Sequence, residues 1–441
     1  MLNSKAITKI QTIMLIVLIV VASVTGCVAY FVMTGEDQSS ETIKIGVLAD
    51  LDNTLGSNIW KAAVLAADQI NAEGGILGKQ VKVIGEDSDV ATGVDAAKIT
   101  LALTRLINYH KVDYIIGENT GEVAFVCQDI AAEHKKIFVG LTGNQDELTL
   151  RVLDDYEKYK YFFRVWPSNV TTIGHGTTDV YNHIREITGF NRIGYLAEDH
   201  VWTKGIIDQM EYLLPEVLGF DLVYGGTFPP FSTLDFSSYL AAAEAAETEI
   251  LVPLIILGAE IPFIKEWYNR QSPMIIYGGA LTEVTTPEGW NWTDGNCEHI
   301  TTLILPVTAG YPLTTKTLPF RDSYMDRWGE YPFPPGAAAY DTIRFILYDA
   351  IMRAGTIETE AVIQALEETS IETTMAKNFV FTSSHDLMVG QGDINDPNDD
   401  HVLSTLFQWQ SEGELAPIYP KQLMEEAGVT YTFPDWSGPW D

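Results

Sequence analysis

The run Ile43-Lys44-Ile45-Gly46-Val47-Leu48-Ala49 narrows the possible folds of this 441-residue chain more than any other stretch. Ile43, Ile45, Val47 and Ala49 alternate, while Gly46 and Leu48 keep the other face apolar, which is the pattern of a strand buried on both sides in a parallel sheet. After a loop from Asp50 to Ser57, Ile59, Ala62, Ala63, Ala66 and Ile70 form one helical stripe, and Gly74-Gly75 ends it because glycine takes the left-handed geometry of a helix C-terminus freely. Val81, Val83 and Ile84 then give a second strand. The unit repeats: helix Val94 to Tyr109, strand Val112 to Ile116, helix Val123 to Glu133, strand Ile137 to Gly140. A change of character at Tyr161–Pro167 opens a second series. Its segments are helix Thr171 to Thr188, strand Arg192 to Ala197, helix Gly205 to Leu214 closed by Pro215, then Leu222 to Phe228, Phe236 to Ala246, Ile250 to Leu254, Ile261 to Asn269 and Met274 to Gly278. Such alternation specifies α/β architecture, with parallel sheets covered on both faces. Helices Phe320 to Trp328 and Gly336 to Gly355 and late strands Phe379–Phe381 and Val402–Gln410 follow.

The chain is 46% hydrophobic and carries 60 acidic against 27 basic residues, a net charge of −33. That excludes nucleic acid and anionic lipid as partners, which require positive potential. Asp393-Ile394-Asn395-Asp396-Pro397 comes nearest to a calcium loop but lacks the turn glycine, so no metal is expected. Three cysteines are too few for a disulfide framework; Cys127 and Cys297 are expected to be buried free thiols.

Lys5 and Lys9 precede an uncharged stretch from Ile10 to Gly35. Val24-Thr25-Gly26-Cys27 has the shape of a lipobox with Cys27 as the lipid-bearing residue, and the alternative is an uncleaved anchor over Ile13 to Met33. Both place the chain from about Glu36 onward on the outer face of the cytoplasmic membrane, held by its N-terminus. Residues 36–42 read as a polar linker, and Asn169-Val170-Thr171 and Asn291-Trp292-Thr293 are glycosylation sequons.

The wording of the first unit, "IKIGVL" followed by "AADQINAEGGILGKQVKVIGEDSD", resembles the start of type I periplasmic binding proteins, the branched-chain amino-acid-binding family that feeds ABC transporters. Asp235-Phe236-Ser237, Ala337-Ala338-Ala339-Tyr340-Asp341 with Ala354-Gly355, and Phe407-Gln408-Trp409-Gln410 match further family phrases in the right order, so the resemblance covers most of the exported part. It implies two doubly wound parallel-sheet lobes joined by three hinge crossings, near Arg164–Pro167, Thr302–Pro306 and Ala376–Phe381. Lobe 1 then takes residues 43–163 and 307–376, lobe 2 takes 164–306 and 377–441, and residues 1–35 form the anchor.

In open parallel sheets a ligand sits beyond the carboxyl ends of the strands. Gly117 to Glu122 and Gly140 to Asn144 are there, the first leading into a helix whose initial N–H groups lack partners. Candidate ligand-binding residues are Asn53 in the first loop, Thr120, Gly121, Glu122, Gly140, Thr142, Gly143 and Asn144. The resemblance places a small hydroxyl position on Gly121, an Ala/Thr pair on Gly143 and Asn144, and an aromatic lid on Trp202. The family's ammonium-binding acid aligns with Ala280, and the nearest acid is Glu283; a second aromatic aligns near the aliphatic Ile255 or Ile256. Glu118 and Glu122 add acid where a carboxylate would dock, which Coulomb repulsion disfavours. An amino acid, a neutral amide, a cation or another small metabolite therefore stays open.

The sequence holds no Gly-x-Ser-x-Gly elbow and no His-Glu-x-x-His, and Glu73 to Gln80 fails the phosphate-loop pattern. His175 and His183 share a predicted helix face but read as surface or capping residues. The chain is expected to be a non-enzymatic, cofactor-free, monomeric receptor that delivers a small polar or amphipathic metabolite to an ABC permease by hinge closure. The alternatives are a sensory receptor of the same fold and, in third place, an exported hydrolase.

Overall fold

The first sheet grows directly out of the opening run. In the computed structural model, which describes residues 42–89, 94–118, 120–166, 169–230, 232–256, 258–304, 306–389 and 405–436, its strands are β1 (Ile43–Ala49), β2 (Val81–Asp87), β3 (Tyr114–Gly117), β4 (Ile137–Gly140) and β5 (Phe162–Arg164). They pair in parallel in the order β2-β1-β3-β4-β5, with Ile45 opposite both Val83 and Tyr114. Strand alternation divides the side chains between two cores. Ile43, Ile45, Val47, Tyr114, Ile116, Ile137, Val139 and Phe163 face one, where Ile59, Ala62, Ala63, Ala66 and Ile70 of helix Thr54–Ala72 and the helical run Pro334–Ala354 cover them. Leu48, Ile115, Phe138 and Phe162 face the other, under helices Ala96–Thr104 and Gly121–Glu133. Gly46 belongs to this second face: a Cβ there would stand 3.2 Å from Leu106, so a small residue lets the helix layer approach.

The second sheet repeats the plan. It contains β6 (Arg192–Glu198), β7 (Asp221–Phe228), β8 (Ile250–Ile255), β9 (Ile275–Ile276) and β10 (Ala280–Leu281), ordered β10-β8-β6-β7 with β9 also on β8. Ile193, Tyr195, Ala197, Ile250, Val252 and Leu254 point to one core, and Leu196, Leu251, Ile255 and Phe228 to the other. The expected α/β class with two lobes, each a parallel sheet between helical layers, is what the chain forms. Residues from Ile43 on make one compact unit containing both lobes. β11 (Thr301–Leu303) closes the second lobe by pairing antiparallel with the late strand β14 (Leu406–Gln410), which in turn pairs with β15 (Glu414–Tyr419). β15 and helix Lys421–Ala427 were not foreseen.

Two expectations need correction. Pro215 does not close the preceding helix: Val201–Tyr212 runs on into a π-helical turn, Leu213–Val217, whose wider spacing absorbs a residue that cannot donate. The lobe boundary at Ala376 also fails. β12 (Ser370–Ile371) pairs with β13 (Phe379–Val380), and Phe379, Phe381 and Leu387 are buried in the first lobe's core, so the segment Ala376–Phe381 is not a crossing. Cys127 and Cys297 are buried free thiols, as expected, one in each lobe. His183 is buried with Nε2 3.0 Å from the Ile418 carbonyl, which explains it without a metal. The lipobox, the alternative anchor and Cys27 lie outside the described residues; among the described residues no helix is long and apolar enough to cross a membrane.

Where the chain leaves the first sheet, a buried ion pair fixes its exit. Arg164 is fully buried and donates from Nε to Asp386 Oδ1 at 2.7 Å and from Nη2 to Oδ2 at 2.5 Å. Its Nη1 donates to the carbonyls of Gly143 at 3.1 Å and Gln145 at 2.8 Å, and Asn169 Nδ2 reaches Asp386 Oδ2 at 2.7 Å. The sequon residue Asn169 is therefore engaged in this network. Removing one partner leaves the other charge buried, so Asp386→Ala is expected to lower unfolding free energy by about 3 to 5 kcal/mol in urea melts, and a loss below about 1 kcal/mol would contradict the assignment.

Candidate functional site

The carboxyl end of the first sheet is shaped by a glycine. Gly117 ends β3 at φ 145°, where a Cβ would lie 2.1 Å from the Leu48 carbonyl oxygen. Glu118 follows at φ 78°, a left-handed conformation uncommon for glutamate. Its carboxyl turns back across the sheet edge and holds it there. Oε1 accepts from the backbone N–H of Leu141 at 3.0 Å, Thr142 at 2.7 Å and Gly143 at 2.8 Å. Thr142 Oγ1 lies 3.1 Å from both Oε2 and the Glu118 carbonyl. Burial pushes the Glu118 carboxyl up to about 7 despite these bonds, which favour the charged form. Arg164 holds the carbonyls of the same loop, so the turn after β4 is fixed through both its donors and its acceptors.

This corrects the expectation for Thr142 and Gly143. Their amides do not face a ligand; the chain's own Glu118 has taken them. Gly140 is buried where a Cβ would meet the Phe162 ring at 3.1 Å, a packing role, and Asn144 is half-buried beside the loop. Asn53 is a helix cap whose Oδ1 accepts from Gly56 N–H at 2.8 Å.

Thr120, Gly121 and Glu122 begin helix Gly121–Glu133, which projects from the same edge. Thr120 sits at the N-cap with extended backbone but makes no capping bond, and its Oγ1 is buried without a partner. Gly121 is packed under the Gln145 side chain, whose Oε1 is likewise unpartnered. Glu122 reaches the second lobe: its Oε1 is 3.7 Å from His200 Nδ1. The lobes also meet where Tyr331 N–H donates to Glu288 Oε1 at 3.3 Å.

Opposite lies the carboxyl end of the second sheet. β6 ends at Glu198, fully buried, whose Oε1 accepts from Ile256 N–H at 3.1 Å and whose Oε2 accepts from Trp202 Nε1 at 3.0 Å. Trp202 is half-buried against the second lobe's core, so its indole is held at one end and free to present a face. Glu260 begins helix Glu260–Arg270; its Oε2 accepts from Gly258 N–H at 3.0 Å, and its Oε1 has no partner although the residue is fully buried. Burial pushes Glu260 well above the usual carboxylate range, with the neighbouring Glu283 and Glu198 adding repulsion, and burial raises Glu283 as well. The structure thus gathers Thr120, Glu122, Trp202 and Glu283 on two facing sheet ends and leaves Asn53 and Gly140 to structural roles. The sequence reading missed Glu198, Glu260 and Gln145. An acid closing the apolar strand that ends at Glu198 was the one visible signal.

The sequence profile described as periplasmic binding protein matches residues 42–391. The chain belongs to that family. As a member of the periplasmic binding protein family, an extracytoplasmic group, it shares the fold of the branched-chain amino acid transporter substrate binding protein LivJ from Streptococcus pneumoniae, solved with isoleucine. That match has a TM-score of 0.68 at 18% identity, covering 86% of this chain and 100% of that one. A solute binding protein from R. palustris solved with benzoate has the same TM-score, 0.68, at 16% identity over 85% of this chain and 95% of that one. The Leu/Ile/Val-binding protein homolog 7 of Brucella melitensis is 21% identical over 407 residues, 88% of this chain and 94% of its own length. These relatives are binding proteins.

A carboxyl raised to about 7 makes a pH signature. The folded state holds the Glu118 proton more tightly than the unfolded chain, so this contribution to stability is full below about 4.5 and disappears as pH rises through about 7. Asp341, buried on Thr374, shifts in the same direction, so the variant difference isolates Glu118. Glu118→Gln keeps the acceptor and removes the charge. Its stability relative to wild type is expected to grow by about 1 to 3 kcal/mol between pH 5 and pH 8 in urea melts, and a constant difference would contradict the buried, proton-holding carboxyl.

Proposed function

We propose that the protein is an extracytoplasmic receptor that captures a small polar or amphipathic metabolite between its lobes and hands it to an ABC permease without chemical change. The observation that carries this reading is the apposition of two parallel-sheet carboxyl ends, in contact through Glu122 and His200, with buried polar atoms on both sides that the chain itself leaves unpartnered. Unpartnered buried polar groups are costly, and a bound solute is what would satisfy them. We assign the ligand contacts to Thr120 and Glu122 from the first lobe and to Trp202, Glu283 and Glu260 from the second. Trp202 is suited to a lid because Glu198 fixes its indole Nε1 while a ring face covers apolar area.

The lobes reach each other through the chain near Arg164–Pro167 and Thr302–Pro306, and closure is a shift of population toward the state that binds the ligand more tightly. Residues 1–35 tether the receptor, through lipidated Cys27 or through Ile13–Met33, and the folded part works as a monomer.

A thermal-shift screen of amino acids, amides and polyamines on the purified protein is expected to yield compounds that raise the melting temperature. For such a compound Trp202→Ala weakens binding by about 1 to 3 kcal/mol in calorimetry with the fold intact, as for a buried aromatic anchor. Unchanged affinity in the variant would take Trp202 out of the site, and turnover of any compound would contradict the receptor reading.

A further inference from the structure

At the two facing sheet ends, donors and acceptors are not treated alike. Several N–H groups are taken by the chain's own carboxyls: Leu141, Thr142 and Gly143 by Glu118, Ile256 and the Trp202 indole by Glu198, and Gly258 by Glu260. The side-chain atoms left buried and unpartnered there include Glu122 Oε2, Gln145 Oε1 and Glu260 Oε1, all carboxyl or amide oxygens, with the Thr120 hydroxyl beside them. An amide oxygen and an ionised carboxylate can only accept. A solute that satisfies the Gln145 oxygen and a charged carboxylate must bring the donors.

The charges agree with this. Glu122, Glu198, Glu260 and Glu283 stand on the two edges, and Glu260 is fully buried with one oxygen unpaired among carboxyl neighbours. A positive group placed among them supplies both hydrogen bonds and the missing countercharge, whereas an anion meets repulsion and finds the N–H cradle of the Gly140–Asn144 loop already filled. Burial has raised Glu260, and the arrival of a cation returns it to the charged form.

We propose that the ligand is a small organic cation that presents N–H donors, an amine or a guanidine, and carries no free carboxylate. Glu118 excludes the carboxylate by occupying its cradle, and Glu122 and Glu260 receive the cationic group. The inference rests on the receptor reading above and specifies its ligand.

The test is calorimetry on the purified full-length protein with matched pairs that differ by one carboxylate: agmatine with L-arginine, cadaverine with L-lysine, isopentylamine with L-leucine, phenethylamine with L-phenylalanine. The member without the carboxylate is expected to bind at least about tenfold tighter in whichever pair binds, and Glu260→Gln and Glu122→Gln each weaken it by about tenfold or more without lowering the melting temperature. Equal or tighter binding of the amino acid overturns the proposal, as does unaltered affinity in both variants. Binding of only neutral or anionic compounds from a wider library also overturns it, yet leaves the receptor standing. Failure of every chemical class to bind removes the receptor reading itself.

Discussion

A parallel sheet gathers unmet backbone donors at its carboxyl end, and here the chain satisfies several of them from within. Glu118 is the principal instance: one fully buried carboxyl oxygen on three consecutive N–H groups ties the end of β3 to the turn after β4. Glu198 does the same in the second lobe, joining β6 to the segment after β8 and to the Trp202 indole. The donors of these turns are thereby taken from any anion that would use them. On the proposal above, the remaining unpartnered oxygens give the edge the opposite preference.

The scaffold behind these edges is ordinary in its physics and firm in its construction. Each sheet divides its strand side chains between two cores, so the edge residues sit on strands buried from both faces. Arg164 completes the frame from below, bonding the carbonyls of the loop whose amides Glu118 holds and anchoring to Asp386 at the chain's exit from the sheet. Small groups on a rigid frame suit recognition, because little ordering remains to be done when a solute arrives.

Much of this was legible in the chain. The alternation of Ile43, Ile45, Val47 and Ala49, the stripe from Ile59 to Ile70 and the repetition of that unit were sufficient for the α/β class, since period and apolar content alone select it. Edges and boundaries were less legible. The third crossing was misplaced because Phe379-Val380-Phe381 reads as a strand wherever it packs, and only the pairing with Ser370–Ile371 shows which core it joins. For the candidate site, loop positions such as Thr120 and Glu122 were chosen from their place after strands. The direction of a side chain could not. Glu118 looked like surplus acid, and nothing in local sequence tells that its carboxyl folds back onto amides more than twenty residues further along. Glu260 was invisible for a similar reason, as its partners Glu198 and Glu283 are brought to it only by the sheet.

A crystal structure of the protein with a bound solute tests this account most directly. It should show Glu118 Oε1 still on the N–H groups of Leu141, Thr142 and Gly143, with nitrogen donors of the solute within hydrogen-bond distance of Glu122 and Glu260. A solute carboxylate seated in that cradle, with the Glu118 side chain rotated out of it, would contradict the account.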